Sequence, residues 1–203
     1  MKMSASPIAL KEASGVADCE LVTRAAAGGE DGFEELVRRY QRPIAAYVYR
    51  MVGDYDAALD LTQDVFIKVY NSLARYRSEF KFSTWIYKIA HNVAVDHLRR
   101  YGPRAQALVT EVEGEQRELQ LESRKLSPED ESERAERRLE IEKIVGELPP
   151  GYRELVALRH SSDLSYEEIA EVTGLPLGTV KNRLFRAREV MRQQFLRRGI
   201  TSL

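Results

Sequence analysis

The sequence predicts an all-α protein, two small helical domains joined by a flexible acidic linker, the second ending in a helix-turn-helix. Three observations carry this. Apolar residues recur at helical spacing nearly throughout, and no stretch alternates as a strand would. The pattern breaks at Gly102-Pro103, and from Arg104 to about Lys125 the chain is charged, poor in aromatics and weakly periodic. Finally, Ser165 to Arg188, SYEEIAEVTGLPLGTVKNRLFRAR, reads as two short helices around a glycine turn.

Residues 1–17 are polar and small, with Pro7 and Gly15, and are expected to form a flexible leader. Asp18 can cap a helix through Leu21, Val22 and Ala25 that stops at Gly28-Gly29. Gly32 precedes a longer helix from Phe33 to about Val52, which Pro43 should kink or split, because proline lacks an N–H and crowds the preceding turn. Gly53-Asp54 ends it. A third helix runs from Asp56 to about Arg75 and a fourth from Ser83 or Thr84 to Arg100, completing a first domain over 18–101. Residues 102–127 form the linker. Ser127 as cap and Pro128 in the first turn open the second domain, 128–203. That helix reaches Leu148 and is stopped by Pro149-Pro150; a short helix over Gly151–His160 follows.

In the helix-turn-helix, 165–188, Ser165 with Glu168 three residues on makes a capping box. Ile169, Ala170 and Val172 give that helix an apolar side. Gly174 stands where a helix ends in a left-handed residue, which a side chain would penalise. Pro176 precedes the second helix, whose Val180 and Leu184 face inward. Its outer face keeps Thr179, Lys181, Asn182, Arg183, Phe185, Arg186 and Arg188. Leu177 to Arg198 holds seven basic residues against one acid, Glu189, as a recognition helix entering a DNA groove would. The alternative, an amphipathic hairpin with a solvated charged face, accounts less well for the glycine and inward valine at this spacing.

With 203 residues the chain has room for one or two modest cores. Its net charge of −1 argues against a uniformly basic DNA-coating protein, but the charge is segregated. Ser72–Arg100 carries six bases and two acids, whereas Gly102–Glu140 carries eleven acids and seven bases. Local basic faces, more than global charge, set nucleic-acid affinity. The single cysteine, Cys19, cannot form an internal disulfide, and neither it nor His91, His97 and His160 has metal-ligand spacing. No metal or cofactor is expected. No Gly-rich phosphate loop, nucleophile elbow or HExxH supports an enzyme. Without a signal pattern or spanning apolar run, a soluble, cytoplasmic protein with no membrane insertion of its own is expected.

Two segments of the first domain carry more than core. In DLTQDVFIKVY, Leu61, Val65 and Val69 form a buried stripe, while Phe66, Ile67 and Tyr70 point partly elsewhere beside Asp60, Gln63 and Asp64. Such a face suits either a second core contact or docking of a helical, basic partner. In FKFSTWIYKIAHNVAVDHLRR, Ile86, Ile89, Ala90 and Val93 make the buried side, and Trp85, Lys88, Asn92 and Arg99 recur on another. A flat aromatic, an amide and two cations in one row suit a single strand. Cations track phosphates, the ring offers a stacking face, and the amide reads an unpaired base edge. Arg75, Arg77 and Lys81 add charge around a loop from about Arg77 to Ser83.

At these residues the chain resembles the bacterial RNA polymerase sigma factors, in their small extracytoplasmic-function (ECF) branch. DLTQDVFIKVY, FSTWIYKIAHNVAVDHLRR and LPPGYRELVALRHSSDLSYEEIAEVTGLPLGTVKNRLFRAR fall in the family's order and cover nearly all of Asp18–Arg198 outside the linker. The resemblance implies a non-enzymatic protein that binds core RNA polymerase and directs it to promoters. Asp60, Gln63, Asp64, Phe66, Ile67 and Tyr70 would meet the clamp helices of the largest subunit. Arg77, Lys81, Ser83, Thr84, Trp85, Lys88, Asn92 and Arg99 would melt and read the minus-ten strand, with the loop, Lys88 and Asn92 holding a flipped base. In the minus-thirty-five major groove, Lys181, Asn182, Phe185 and Arg186 would occupy base-facing positions, and Arg183 and Arg188 would reach phosphates. The resemblance also implies an anti-sigma partner. It would lead the linker, with Glu111, Glu113, Glu115, Glu118 and Glu122, toward the polymerase active centre; a solvated acidic tether explains that composition equally well. The rivals are a ligand-sensing or dimeric helix-turn-helix regulator, and a nuclease built on Asp54, Asp56, Asp60 and Asp64. The first leaves the Trp85 row without purpose. The acids of the second lie at helical spacing, as a solvated face would place them.

Overall fold

A computed structural model describes residues 17–77, 81–108, 139–160 and 162–198, with side chains of 102–108 left aside. The expected leader over 1–16, most of the linker and the helix start at Ser127-Pro128 lie outside the described residues. Those described are helical, and no strand occurs among them. The helices are α1 (Asp18–Ala26), α2 (Glu30–Val52), α3 (Tyr55–Ser72), α4 (Phe82–Leu108), α5 (139–146), α6 (Pro150–His160), α7 (Tyr166–Thr173) and α8 (Leu177–Arg197), with a 3-10 turn at Leu73–Arg75.

Several local expectations give way to packing. Asp18 is the first residue of α1 and not its cap; its carboxylate instead binds Arg39 at 2.8 Å and accepts from Tyr40. Pro43 lies inside an α2 that stays one element. A mid-helix proline forfeits a backbone hydrogen bond and costs about 3 kcal/mol, but Leu36 before it and Ile44, Tyr47 and Val48 after it are all buried, so both halves are held in the same core. Likewise α4 starts at Phe82 and runs through Gly102-Pro103 to Leu108, beyond the break the sequence suggests.

Gly32 is inside α2 rather than ahead of it, at the crossing with α1. A Cβ there would stand 2.7 Å from the Leu21 carbonyl oxygen and 2.9 Å from the Ala25 nitrogen. Helix propensity alone favours alanine by about 1 kcal/mol. Backbone overpacking of about 1–3 kcal/mol works against it. Gly32→Ala is therefore expected to lower the urea midpoint, and a raised midpoint would show that α1 can move aside.

In the α1–α4 group α2 packs on α1, α3 and α4. In the second group α8 packs on α6 and α7. Ser165 accepts from the Glu168 N–H at 3.1 Å and the Glu168 carboxylate accepts from the Ser165 N–H at 2.7 Å, so the capping box forms. Gly174 ends α7 in the left-handed region at φ 69°. Arg153 donates to the carbonyls of Gly146 and Leu148, the latter at 3.1 Å, and fixes the end of α5 to α6. Arg198 ties the end of α8 back to Glu140.

The two groups also touch each other: α2 packs against α6, and α4 against α7. One apolar cluster runs from Leu21 through Val93 to Ala187 without a gap between them. Tyr47, 2 % exposed, meets Tyr87 edge-to-face at 5.4 Å and donates to Glu154 at 3.0 Å. Burial, then the Glu154 charge, push the Tyr47 phenol well above its usual value, so it remains a donor.

Candidate nucleic-acid interface

Helix α8 divides its residues cleanly. Val180, Leu184 and Ala187, at i, i+4 and i+7, are buried on α6 and α7. Thr179, Asn182, Arg183 and Arg186, at i, i+3, i+4 and i+7, line an open groove of about 440 Å³ with Gly178 and Tyr152 of α6. Lys181, Phe185 and Arg188 repeat the same spacing on the adjacent exposed side, and Phe185 is 63 % exposed. All seven residues expected on the outer face of this helix are thus outside the core. They differ in freedom. Arg188 donates to the Tyr166 hydroxyl, and Arg183 lies against Gly151 and Tyr152 half-buried, whereas Lys181, Asn182 and Arg186 stand exposed. Tyr152 was not expected in this groove; its position 27 residues before Thr179 gives no periodic signal.

Where the first group meets α7, a second cavity, about 310 Å³, is lined by Arg75, Tyr76, Arg77, Trp85 and Lys88 of the first group and Glu171 of α7. Tyr76 and Trp85 form its aromatic side, with ring centroids 5.2 Å apart, and the buried Phe82 backs Trp85 at 5.7 Å. Tyr76 is a residue the sequence reading missed, although an aromatic between two arginines was a usable signal. Asn92 and Arg99 are exposed further along α4, where Arg99 pairs with Asp96. Thr84 does not join this face: it is 3 % exposed, with its hydroxyl turned inward and unpartnered. Ser83 is half-buried, and residues 78–80 of the expected loop lie outside the described residues.

On α3, Asp60, Gln63, Asp64 and Ile67 share one exposed face at i, i+3, i+4 and i+7. Ile67 and Tyr70 are 57 % and 60 % exposed. Phe66 is the exception among the expected docking residues. At 8 % exposure it belongs to the core, edge-to-face with Phe33 at 6.5 Å, because Ala58, Leu61, Thr62, Val65, Phe66 and Val69 make an inward stripe wider than the one expected. Asp54, one of the acids of the nuclease alternative, is the α3 cap and accepts from the Ala57 N–H at 2.8 Å. Among the described residues no His, Cys, Asp or Glu cluster is placed to hold a metal ion, and no helix is long and apolar enough to cross a membrane.

Residues 36–104 match the family profile described as Sigma-70 region 2, and residues 138–191 match that described as Sigma-70, region 4. The RNA polymerase sigma-H factor of Pseudomonas aeruginosa is 38% identical over 178 residues, which cover 86% of this chain and 91% of the relative. The chain belongs to the ECF sigma factors. The ECF sigma-E factor of Escherichia coli is 38% identical over 176 residues (86% and 92% of the two chains), and SigW of Bacillus subtilis 35% over 169 residues (82% and 90%). The fold of this sigma factor is shared by CnrH, solved in complex with the cytosolic domain of CnrY, at TM-score 0.59 and 23% identity over 88% of this chain and 96% of that one. It is also shared by RpoE of Bartonella quintana, solved with the anti-sigma factor NepR, at TM-score 0.63 and 21% identity over 80% and 96%. As a member of this family the chain is a non-catalytic subunit that binds core RNA polymerase and directs promoter-specific initiation of transcription, and the alternatives of a ligand-sensing regulator and of a nuclease are set aside.

Proposed function

We propose that this sigma factor divides its work over three surfaces. The exposed face of α3, with Asp60, Gln63, Asp64, Ile67 and Tyr70, docks on the clamp helices of the largest polymerase subunit. The cavity floored by Trp85 and Tyr76 takes an extruded base of the non-template minus-ten strand, with Arg75, Arg77 and Lys88 on its phosphates and Asn92 beside it. The outer face of α8 enters the minus-thirty-five major groove, where Lys181, Asn182, Phe185 and Arg186 meet base edges and Arg183 and Arg188 the phosphates. Phosphate contacts set the register and base contacts supply the sequence preference. An anti-sigma protein that covers these faces is its regulatory partner; the complexes of CnrH and RpoE support that reading.

The observation that carries this division is the pocket itself. A tryptophan and a tyrosine ring with three cations around them form a stacking platform inside a positive rim. Base–aromatic stacking is worth about 1–3 kcal/mol per base and offsets the few kcal/mol that extrusion costs. The test is a titration into core polymerase with a fluorescent base in the minus-ten strand. Trp85→Ala is expected to keep core binding and lose the unstacking signal. Arg186→Ala should weaken minus-thirty-five discrimination by about 1–3 kcal/mol, the worth of one base contact, again with core binding intact. Promoter selection unchanged in Arg186→Ala would overturn the assignment of α8.

A further inference from the structure

Helix α8 has two flanks between its buried stripe and its outer face, and an arginine stands on each. At 3.6 residues per turn, Arg183 and Arg188 fall on opposite sides of the stripe made by Val180, Leu184 and Ala187. The two flanks meet different helices. Arg188 turns to α7, where it donates to the Tyr166 hydroxyl. Arg183 turns to the first turn of α6, its guanidinium so close over Gly151 that a Cβ there would stand 3.3 Å from Nη1. Tyr152 follows Gly151 and lines the open groove with Thr179, Asn182, Arg183 and Arg186. Its ring is half-buried against the apolar cluster, and its backbone N–H donates to the Pro149 carbonyl at 2.8 Å. Its hydroxyl is neither buried nor hydrogen-bonded to any described residue.

We propose that Tyr152 of α6 is a further DNA-positioning contact: its hydroxyl donates to a backbone phosphate on the wall of the groove that α8 enters, beside Arg183. This rests on the reading of the outer α8 face as the duplex-reading surface. A helix in the major groove, which is about 12 Å wide, presents its outermost residues to base edges and its flanks to the phosphates on either side. Asn182, Phe185 and Arg186 are outermost here, so the Arg183 flank, with Tyr152 on it, meets one wall and the Arg188 flank the other. A phosphate oxygen only accepts, and a tyrosine hydroxyl donates without carrying a charge. With its ring anchored and only two side-chain torsions, Tyr152 meets that oxygen at little entropic cost. It also adds direction to a wall where Arg183 supplies charge. Because the contact comes from α6 and not from α8 itself, it fixes the depth and roll of α8 relative to the rest of the second group. A phosphate contact carries no sequence information, so its loss weakens every sequence alike.

The experiment uses the full chain assembled with core polymerase. Wild-type holoenzyme first recovers its preferred duplex from a library randomised over the minus-thirty-five element; Kd is then measured for that duplex and its single-base variants over a range of salt concentrations. Tyr152→Phe keeps the ring that packs on the core and removes only the unbonded hydroxyl, so its urea midpoint should match the wild type. The expected result is a Kd about tenfold weaker, the scale of one hydrogen bond to a charged group, by the same factor on every duplex. The slope of log affinity against log salt should stay unchanged in Tyr152→Phe, whereas Arg183→Gln should reduce it by about 1. A Kd equal to the wild type on all duplexes overturns the proposal. If Arg186→Ala, run alongside, still changes the recovered sequence, the reading of α8 stands; if it does not, that reading fails as well. A loss in Tyr152→Phe confined to particular base variants also overturns the proposal, because the hydroxyl would then be reading a base.

Discussion

Leu184→Ala is expected to destabilise the folded chain by about 3 kcal/mol, within the range for truncating a buried leucine. Leu184 is 1 % exposed and sits midway along the inward stripe Val180–Leu184–Ala187, on which α8 packs against α6 and α7. Those two helices have 11 and 8 residues, and both are pinned at their ends, α6 through Arg153 and α7 through its capping box. They have little freedom to collapse into the space that three lost carbons leave, so the cavity contribution adds to the lost transfer energy. By comparison, losing the Ser165 cap costs about 1 kcal/mol, and an exposed ion pair 0–1 kcal/mol. Urea unfolding followed by far-ultraviolet circular dichroism measures the change. No exposed side chain of the outer α8 face is altered, so any duplex binding per folded molecule should be retained at low temperature. A shift below about 1 kcal/mol would show that this stripe is not the core of the second group.

What the sequence makes legible follows from how local the encoding is. The helix-turn-helix is written in contacts of three to four residues: Ser165 with Glu168, a left-handed residue at Gly174, and inward Val180 and Leu184. Each of these is found in the structure. The outer face of α8 follows by subtraction. Local rules fail where distant packing overrides them. Pro43 reads as a breaker, yet buried Ile44, Tyr47 and Val48 carry α2 past it. Gly32 reads as a helix boundary, yet its missing side chain is what lets α1 cross α2. Phe66 reads as part of a docking face only if the apolar stripe of α3 is narrow, whereas α3 is covered by both α2 and α4, and Thr84, which the resemblance puts on the strand face, is buried on α4. The carboxylates of α6 and α7 were invisible for a different reason. Glu154 is 63 residues from His91, and no helical periodicity records which surface an acidic side chain will meet.

Ile67→Ala is expected to weaken binding to core RNA polymerase about 30-fold while leaving the free energy of unfolding within about 0.5 kcal/mol of the wild type. Both parts follow from the same exposure. At 57 % exposed, the Ile67 side chain contributes little to the monomer's core, and surface truncations of this kind are close to neutral. In a docked complex, however, it would be the apolar centre of a face whose border is Asp60, Gln63 and Asp64. Central apolar anchors ringed by polar residues cost about 2 kcal/mol or more on truncation, and 2 kcal/mol corresponds to about 30-fold in Kd. Tyr70 is a poorer choice for this test because its ring leans on Phe33 at 5.0 Å, so its loss would mix folding with docking. Asp64→Ala provides the contrast. A border charge acts mainly on the association rate and its salt dependence, so its effect should shrink at high ionic strength while that of Ile67→Ala persists. Equal loss from both variants at every salt concentration would argue that α3 docks as an acidic face alone, and an unchanged Kd for Ile67→Ala would move the polymerase contact off this helix.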